Sequence, residues 1–453
     1  MIFHSKVKAL LKIERFEKSF KLSESVRNKF SRPILFHLSN DDYPFLSTFV
    51  KIDFRKEKLI YYKLLSDENI SILEKLDIPN YPSHSSLGAG NGFFNFLFLQ
   101  PNLPHDTFRY FDLEKLMCYV FSASEVFDGK YSYVSETSGL DCTRNDHFLI
   151  GVGKQNTNYY EIYSCSFDLQ EKVKIIEIET HKYPPHDVRS YDDFIFATEF
   201  FDQRVKMPNG QIVNDYIELE KLIYDSNYPE SIVAKNIPSY KALEINRFKI
   251  SPLHGEVLLI DMQKSINFEF LKAGFVPSHI EFLDDLIYVS SHNFLFLKGK
   301  MVYLGPAAID LYRIEDRNIV SVDRFQEPTG YRYTAHKVFK RDGHPYFVTI
   351  GHPNRLFLVD GLSMKKVSYI DLGERDVLSK CPDIKTYLNE MDMTDHYHPL
   401  RYSTVEASDD GEFLIFWDQT HVQLISTRTF EISSVVDFTI EDFRQKTYHS
   451  EKL

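Results

Sequence analysis

From Pro33 onward the chain consists of short apolar runs separated by polar turns. Val50-Lys51-Ile52-Asp53-Phe54 alternates with the two-residue period of a strand buried on one face. Comparable runs lie at 34–37, 45–54, 58–62, 93–99, 148–152, 159–167 and 173–178, and Gln155-Asn156-Thr157-Asn158 reads as a hairpin loop between two of them. One arrangement recurs: a histidine, a short run, an acidic or glycine turn, then a strand. It is clearest at His186, followed by Asp192-Asp193 and Phe194-Ile195-Phe196. It returns at His279 with Asp284-Asp285, at His336 with Asp342-Gly343, at His84 with Asn91-Gly92, and at His37 with Asp41-Asp42. Two further windows, at Asn145-Asp146 and Asp409-Asp410-Gly411, keep the turn and strand without that histidine.

The turn residues Asp42, Gly92, Asp146 and Asp193 are 50, 54 and 47 residues apart, and Asp285, Asp342 and Asp410 are 57 and 68 apart. Each step suits one four-stranded blade of a β-propeller, which takes roughly 40–50 residues plus any insertion. The step from Asp193 to Asp285 is 92. A long insertion in one blade gives seven blades; a window hidden near 244–250 would give eight. The expected fold is all-β, a seven-bladed propeller over residues 33–453, against a sandwich or two separate β domains. Three segments, 101–136, 202–240 and 374–397, break the rhythm. The first contains 112–117; spacing predicts helical insertions at 215–224 and 383–391, and all three segments are placed to roof one face. Residues 1–32 read as a separate, basic N-terminal helical segment. Val7, Leu10, Leu11 and Phe20 fall at helical spacing, amid nine Lys and Arg and three Glu. That helix is expected across the outside of the propeller. Its apolar face is too weak to favour the alternative, peripheral membrane contact.

Composition agrees with strands: 38 Phe and 28 Tyr suit pleated, half-buried surfaces. A net charge of −12 argues against a general nucleic-acid binder, which needs a basic face. The four cysteines, Cys118, Cys142, Cys165 and Cys381, form no CxxC and read as buried free thiols of a reducing compartment. The N-terminus lacks the apolar core of a signal peptide, and no run approaches the roughly 18 apolar residues of a membrane span. A cytoplasmic location is expected.

The first strand of each propeller blade lines the axis, so a histidine repeated there makes a ring. Neutral imidazole is a common ligand of iron, zinc and copper, and three or four on one axis with an open position would form a catalytic metal centre. The alternative is a local hydrogen-bonding role in each blade. His147, His254, His292, His344, His352, His396, His398, His421 and His449 fall outside the register; several read as surface or loop residues, and His398 is a reserve candidate for the window before Asp410.

His186-Asp187 followed by Asp193-Phe194-Ile195-Phe196 resembles the histidine–aspartate strand of the carotenoid cleavage oxygenases. The tail, with Asp409-Asp410-Gly411-Glu412-Phe413-Leu414, Phe430-Glu431 and Tyr448-His449, is similar to that family's last blade. The resemblance implies a seven-bladed propeller with one ferrous iron held on its axis by four histidines. His186 would then be one ligand, His449 the last and His279 the third by position. The family's first-ligand segment, Thr-Ala-His-Pro, has no upstream counterpart; Thr334-Ala335-His336-Lys337 lies downstream of His186.

No P-loop, GxSxG or HExxH occurs, and Gly88-Ala89-Gly90-Asn91-Gly92 suits a tight turn. Arg189, Arg144 and Arg401 stand near inner-strand starts, where each would grip an anionic substrate or join a channel salt bridge. Three functions follow. The first is an iron-dependent (Fe2+) propeller oxygenase acting on a small apolar or aromatic molecule, with ligands among His84, His186, His279, His336 and His449. The second is a non-catalytic scaffold for a protein partner. The third is a metal-free lyase or cyclase using channel Tyr, Arg and His, for which Arg189 and Tyr191 are the catalytic candidates.

Overall fold

The acidic turns close β-hairpins. In a computed structural model of the chain, Tyr191 pairs with Phe194 across Asp192-Asp193, Leu283 with Leu286 across Asp284-Asp285, and Arg341 with His344 across Asp342-Gly343. Two-residue hairpin loops need left-handed backbone, which Asp192 (φ 49°), Asp284 (φ 53°), Asp342 (φ 53°) and Gly343 (φ 79°) supply. The structure describes residues 6–37, 48–64, 66–76, 84–85, 93–97, 106–135, 137–144, 146–179, 185–200, 204–207, 209–213, 218–219, 221, 251–263, 267–297, 300–303, 306–327, 333–351, 355–371, 404–417 and 422–436.

The hairpins grow into seven sheets of four or five strands, the blades of a propeller. From the axis outward, blade 1 is Ile34–His37, Thr48–Asp53, Lys58–Lys63 and Glu14–Ser19. Blade 2 is His84–Ser85, Phe93–Leu97, Thr107–Asp112, Met117–Ser122 and Val7–Lys12. Blade 3 is Tyr131–Val134, His147–Lys154, Tyr159–Ser166 and Lys172–Glu179. Blade 4 is Asp187–Tyr191, Phe194–Thr198, Gly255–Asp261 and Asn267–Ala273, with Thr137–Ser138 added in parallel inside it. Blade 5 is Pro277–Leu283, Leu286–Ser291, Ala308–Glu315 and Asn318–Phe325. Blade 6 is Tyr333–Arg341, His344–Gly351, Arg355–Asp360 and Lys366–Asp371. Blade 7 is Thr404–Ala407, Phe413–Trp417, Val422–Ser426 and Glu431–Val436. The double step between Asp193 and Asp285 is an insertion at 199–254, between the second and third strands of blade 4. It carries a small sheet of Val205–Lys206, Ile212–Val213 and Ser251–Pro252.

Seven apolar clusters hold the ring, one between each pair of neighbouring blades. Val188, Ile195 and Ala197 of blade 4 meet Leu149 and Ile162 of blade 3 on one face, while Phe194 and Phe196 meet Ile280 and Ile287 of blade 5 on the other. This is the two-residue period read as two buried faces. The ring closes between blades 7 and 1, where Phe30, Ile52, Phe54 and Leu59 pack against Ile415, Val422 and Leu424. A polar clasp lies over this seam. Lys29 pairs with Asp410 (2.7 Å) and Glu412, and the Ser31 and Asp409 amides donate to Asp409 Oδ2 and the Lys29 carbonyl.

The N-terminal segment departs from the helical expectation. Val7–Lys12 and Glu14–Ser19 are strands that complete blades 2 and 1 on their outer edges, and helix is confined to Glu24–Arg27. Ala9, Leu11 and Ile13 are buried while Leu10 is 45% exposed, so the apolar period is two rather than 3.6. Residues 113–116, in the first of the interrupting segments, form a turn, because Asp112 Oδ1 accepts the amides of Glu114 and Lys115. Of 215–224, Glu218, Leu219 and Lys221 are helical. The predicted helix at 383–391 and the window at 244–250 lie outside the described residues, as does Cys381. Cys118 and Cys165 are buried free thiols, Cys118 pushed up to about 12 by burial, but Cys142 is exposed. Among the described residues no helix is long and apolar enough to cross a membrane.

The seam is the place to test closure. Phe30 is 2% exposed and stacks on Phe54 with ring centroids 4.2 Å apart. Phe30→Ala is expected to lower unfolding stability by about 3–5 kcal/mol. Val367→Ala, on an outer strand at 53% exposure, should stay within about 0.5 kcal/mol of the parent in the same urea titration.

Candidate functional site

The first strands of blades 4 to 7 contact one another in succession, and three repeat histidines meet there. His186 immediately precedes the first strand of blade 4, and its amide donates to the Thr198 carbonyl. His279 lies in the first strand of blade 5, next to a bulge between Pro277 and Ile280. His336 lies in the first strand of blade 6, opposite Thr349. Ring centroids are 4.8 Å apart for His186 and His279, and 5.4 Å apart for His279 and His336. His186 Nδ1 is 3.1 Å from the Ser278 carbonyl, which can only accept, so Nδ1 carries the proton. His336 Nδ1 is buried without a hydrogen-bond partner among the described residues.

Asp187 ties these strands together. It is fully buried. Its Oδ1 accepts from Arg189 Nε at 2.7 Å. Its Oδ2 accepts the Ile280 amide of blade 5 at 3.2 Å and stands 3.8 Å from His279 Nδ1. Behind it, Thr198 Oγ1 accepts the Asp187 amide and donates to the Ser278 carbonyl. The same carbonyl therefore orients Thr198 and His186, and one carboxylate orients Arg189 and His279.

Charges alternate around this part of the axis. After Asp187 and Arg189 come Glu281 of blade 5, Lys337 of blade 6 and Glu406 of blade 7, with Lys337 Nζ 3.0 Å from Glu406 Oε2. Arg189, His279, Lys337 and Glu406 keep 31%, 33%, 27% and 30% of their side chains exposed. Desolvation nevertheless dominates their neighbourhood, as in a narrow channel. Burial pushes His336 down to about 3, helped by His279. Burial also lowers His279, with Asp187 opposing it. Glu281 is raised above the ordinary carboxylate value by burial, against the pull of Lys337 and Arg189. Burial works against Lys337 as a cation, but Glu281 and Glu406 outweigh it and raise its pKa. His279 and His336 are thus neutral at pH 7, the form that binds metals or relays protons.

Tyr191 stands elsewhere, at the hairpin end of its strand, stacked on Phe282 with centroids 5.0 Å apart. The structure brings Arg189 into the cluster but not Tyr191. His84 is the first residue of the inner strand of blade 2, and His37 the last of blade 1, but their side chains lie outside the described residues. His449 and Arg401 also lie outside them. His292 falls outside the histidine repeat, yet it is 3% exposed, 6.5 Å from His279 between ring centroids, and packed against Phe200 and Phe294. Antiparallel pairing explains this. Ser291 faces Pro277, so the residue after the second strand returns to the level where the first begins. Phe200, two residues past the second strand of blade 4, stacks on His186 at 4.5 Å in the same way.

No family model matches the chain, and no curated protein matches it. Among solved structures, the dihydro-heme d1 dehydrogenase NirN, in complex with DHE, is 8% identical with a TM-score of 0.45, covering 96% of this chain and 79% of that one. The WD40 β-propeller domain of Doa1 is 8% identical with a TM-score of 0.38, covering 74% and 78%. Sqt1 of Saccharomyces cerevisiae is 7% identical with a TM-score of 0.37; the match covers 65% of this chain and 60% of that one.

The depressed His336 pKa has a consequence for stability. The unfolded chain takes up a proton on this side chain near its ordinary value of 6.5, whereas the folded chain does so only near 3. Between those values the unfolded state binds more protons, so this group's contribution is lost as pH falls from about 6.5 to 3. With chelator present, the urea midpoint of His336→Asn should fall less steeply than the parent's over that window, and the two curves should run parallel above pH 7.

Proposed function

We propose that the protein is a propeller enzyme whose site is the axial cluster of blades 4 to 7, acting on a small apolar or aromatic molecule. The observation that carries this reading is the meeting of His186, His279 and His336, one from each of three successive blades, behind a single buried carboxylate. We place the protein in a reducing compartment, the cytoplasm, in keeping with the free thiols of Cys118 and Cys165.

The cofactor we propose is ferrous iron, as in the carotenoid cleavage oxygenases. Donor type and protonation state fit: three imidazoles, two of them held neutral by burial. Two imidazoles bound to one ion at about 2.1 Å would set their ring centroids about 4.5–5.5 Å apart, which matches 4.8 and 5.4 Å. The backbone carbonyl on His186 Nδ1 and the carboxylate near His279 Nδ1 are the outer partners that ligating histidines ordinarily have. Among the described residues no three His, Cys, Asp or Glu side chains are arranged as a finished ligand set. Binding would therefore require the rings to turn toward a common point. His186, His279 and His336 would hold the ion, which would supply an open coordination position for dioxygen or substrate. Asp187 orients Arg189 and His279 whether or not an ion is bound.

The raised Glu281 favours a second reading, a metal-free lyase or cyclase. A carboxyl that burial raises above its ordinary value, near Lys337 and Arg189, is suited to give or take a proton, with neutral His279 as its counterpart.

Elemental mass spectrometry on anaerobically purified protein separates the two. Near-stoichiometric iron in the parent, lost in His186→Ala and His279→Ala, is the result expected of the first reading. A folded protein without metal, unable to retain added Fe2+, would remove it. The second reading then requires Glu281→Gln to abolish turnover while leaving substrate affinity within about threefold.

A further inference from the structure

We propose that a cavity between blades 4 and 5, separate from the axial cluster, is a binding site for a short hydroxycarboxylate. Its volume is about 190 Å³, and its walls include Gly274, Phe275, Ser291, Asn293, Pro306 and Arg324. That is smaller than the roughly 300–1,000 Å³ of sites for drug-sized ligands, so the occupant has few heavy atoms.

The polar groups of this cavity are built and held. Gly274 keeps it open: a Cβ there would stand 2.7 Å from Ser291 Cβ and Oγ. Ser291 is fully buried, and its Oγ has no hydrogen-bond partner among the described residues. Asn293 sits at φ 55° with its amide bonded to the Phe275 carbonyl, and its Nδ2 donates to the Pro306 carbonyl. This leaves Asn293 Oδ1 buried and unpartnered. Opposite, Val276 takes φ 60°, a conformation that is costly for a β-branched residue. Its carbonyl accepts the His292 amide, so the strained pair fixes 291–293. Arg324 is anchored through Nε to Asp310 Oδ1 at 2.6 Å, and the other oxygen of Asp310 accepts the Gly274 amide at 2.8 Å. The terminal nitrogens of Arg324 make no other ion pair among the described residues.

The chemistry of the occupant follows from these groups. A guanidinium offering two parallel donors fits a carboxylate. Asn293 Oδ1 can only accept, and so needs a hydroxyl or amine donor from the ligand; Ser291 Oγ serves either role. Buried polar atoms without partners are costly, and a ligand carrying a carboxylate at one end and a hydroxyl at the other satisfies all three groups. Phe275 and Pro306 line the cavity between these groups.

Saturation-transfer NMR and calorimetric titration on the full chain test this, with sodium glycerate as the probe and glycerol and propionate as its two halves. Glycerate is expected to bind at least tenfold more tightly than either half. Arg324→Gln should weaken it at least tenfold and Ser291→Ala several-fold. Gly274→Ala should abolish binding by filling the cavity. His186→Ala should leave binding unchanged, because His186 lines no wall of the cavity. Thermal unfolding of each variant identifies any that fail to fold, and Ser291→Ala removes one atom from a site that already lacks a partner for it. No transfer to glycerate would overturn the proposal. So would equal binding of glycerol or propionate, or undiminished binding by folded Arg324→Gln.

Discussion

One buried carboxylate organises the axial side of this molecule. Asp187 spends both oxygens on fixed partners, Arg189 on its own strand and the Ile280 amide on the next blade, and stands within reach of His279. Apolar clusters hold neighbouring blades face to face, but such contacts are non-directional and tolerate sliding. A carboxylate bonded to the backbone of the adjacent inner strand does not. It sets the height of blade 5 against blade 4, and the height decides which side chains meet at the axis. A charge this deeply buried is sustained only by such a full set of partners, so Asp187, Arg189, Thr198 and the Ser278 carbonyl form a unit in which removing one member leaves the others exposed to the desolvation cost.

Beside that unit, the described charged and imidazole groups at the axis come from the first strands of blades 4 to 7. Each of those strands contributes a group at the same level, from Asp187 and Arg189 to His279 and Glu281, then His336 and Lys337, then Glu406. Opposite charges follow one another, so the channel wall is neutralised locally, although the chain as a whole carries −12. Narrowness does the rest. Side chains that keep a quarter to a third of their surface are still poorly hydrated, which holds the histidines neutral and raises Glu281.

Much of this was legible in the residues. Acidic pairs before apolar runs marked the hairpins because two-residue turns demand left-handed backbone, and Asp tolerates it. Their spacing then counted the blades. His186, His279 and His336 were legible because each stands a few residues before its turn, which is a statement about height on the first strand. His292 was not, since its height depends on the length of the second strand, and Ser290-Ser291-His292-Asn293 looks like any loop. Reading the end of a second strand against the start of the first would have found it. The N-terminus misled for a different reason. Val7, Leu10 and Leu11 suggest a helix, but Ala9, Leu11 and Ile13 are the buried set. Edge strands exposed on one side carry few apolar residues to reveal a period of two, and pairing with Met117–Ser122 and Lys58–Lys63 decided the outcome. Tyr191 lies outside the histidine cluster by simple distance. At about 3.3 Å per residue it lies some 13 Å along the strand from Asp187.

The end of the second strand of blade 5 joins the two sites described above. His292 packs against Phe200 and His279 while Ser291 and Asn293 line the cavity beside Arg324. These three residues cannot rotate independently. The Phe275 and Val276 carbonyls accept the Asn293 and His292 amides, and both Val276 and Asn293 are held in left-handed backbone. Any change that relaxes Val276 must also move His292, and with it the aromatic wall of the axial cluster. The strain is therefore shared by both faces of one strand end, and the propeller's rigid blades leave it few other places to go.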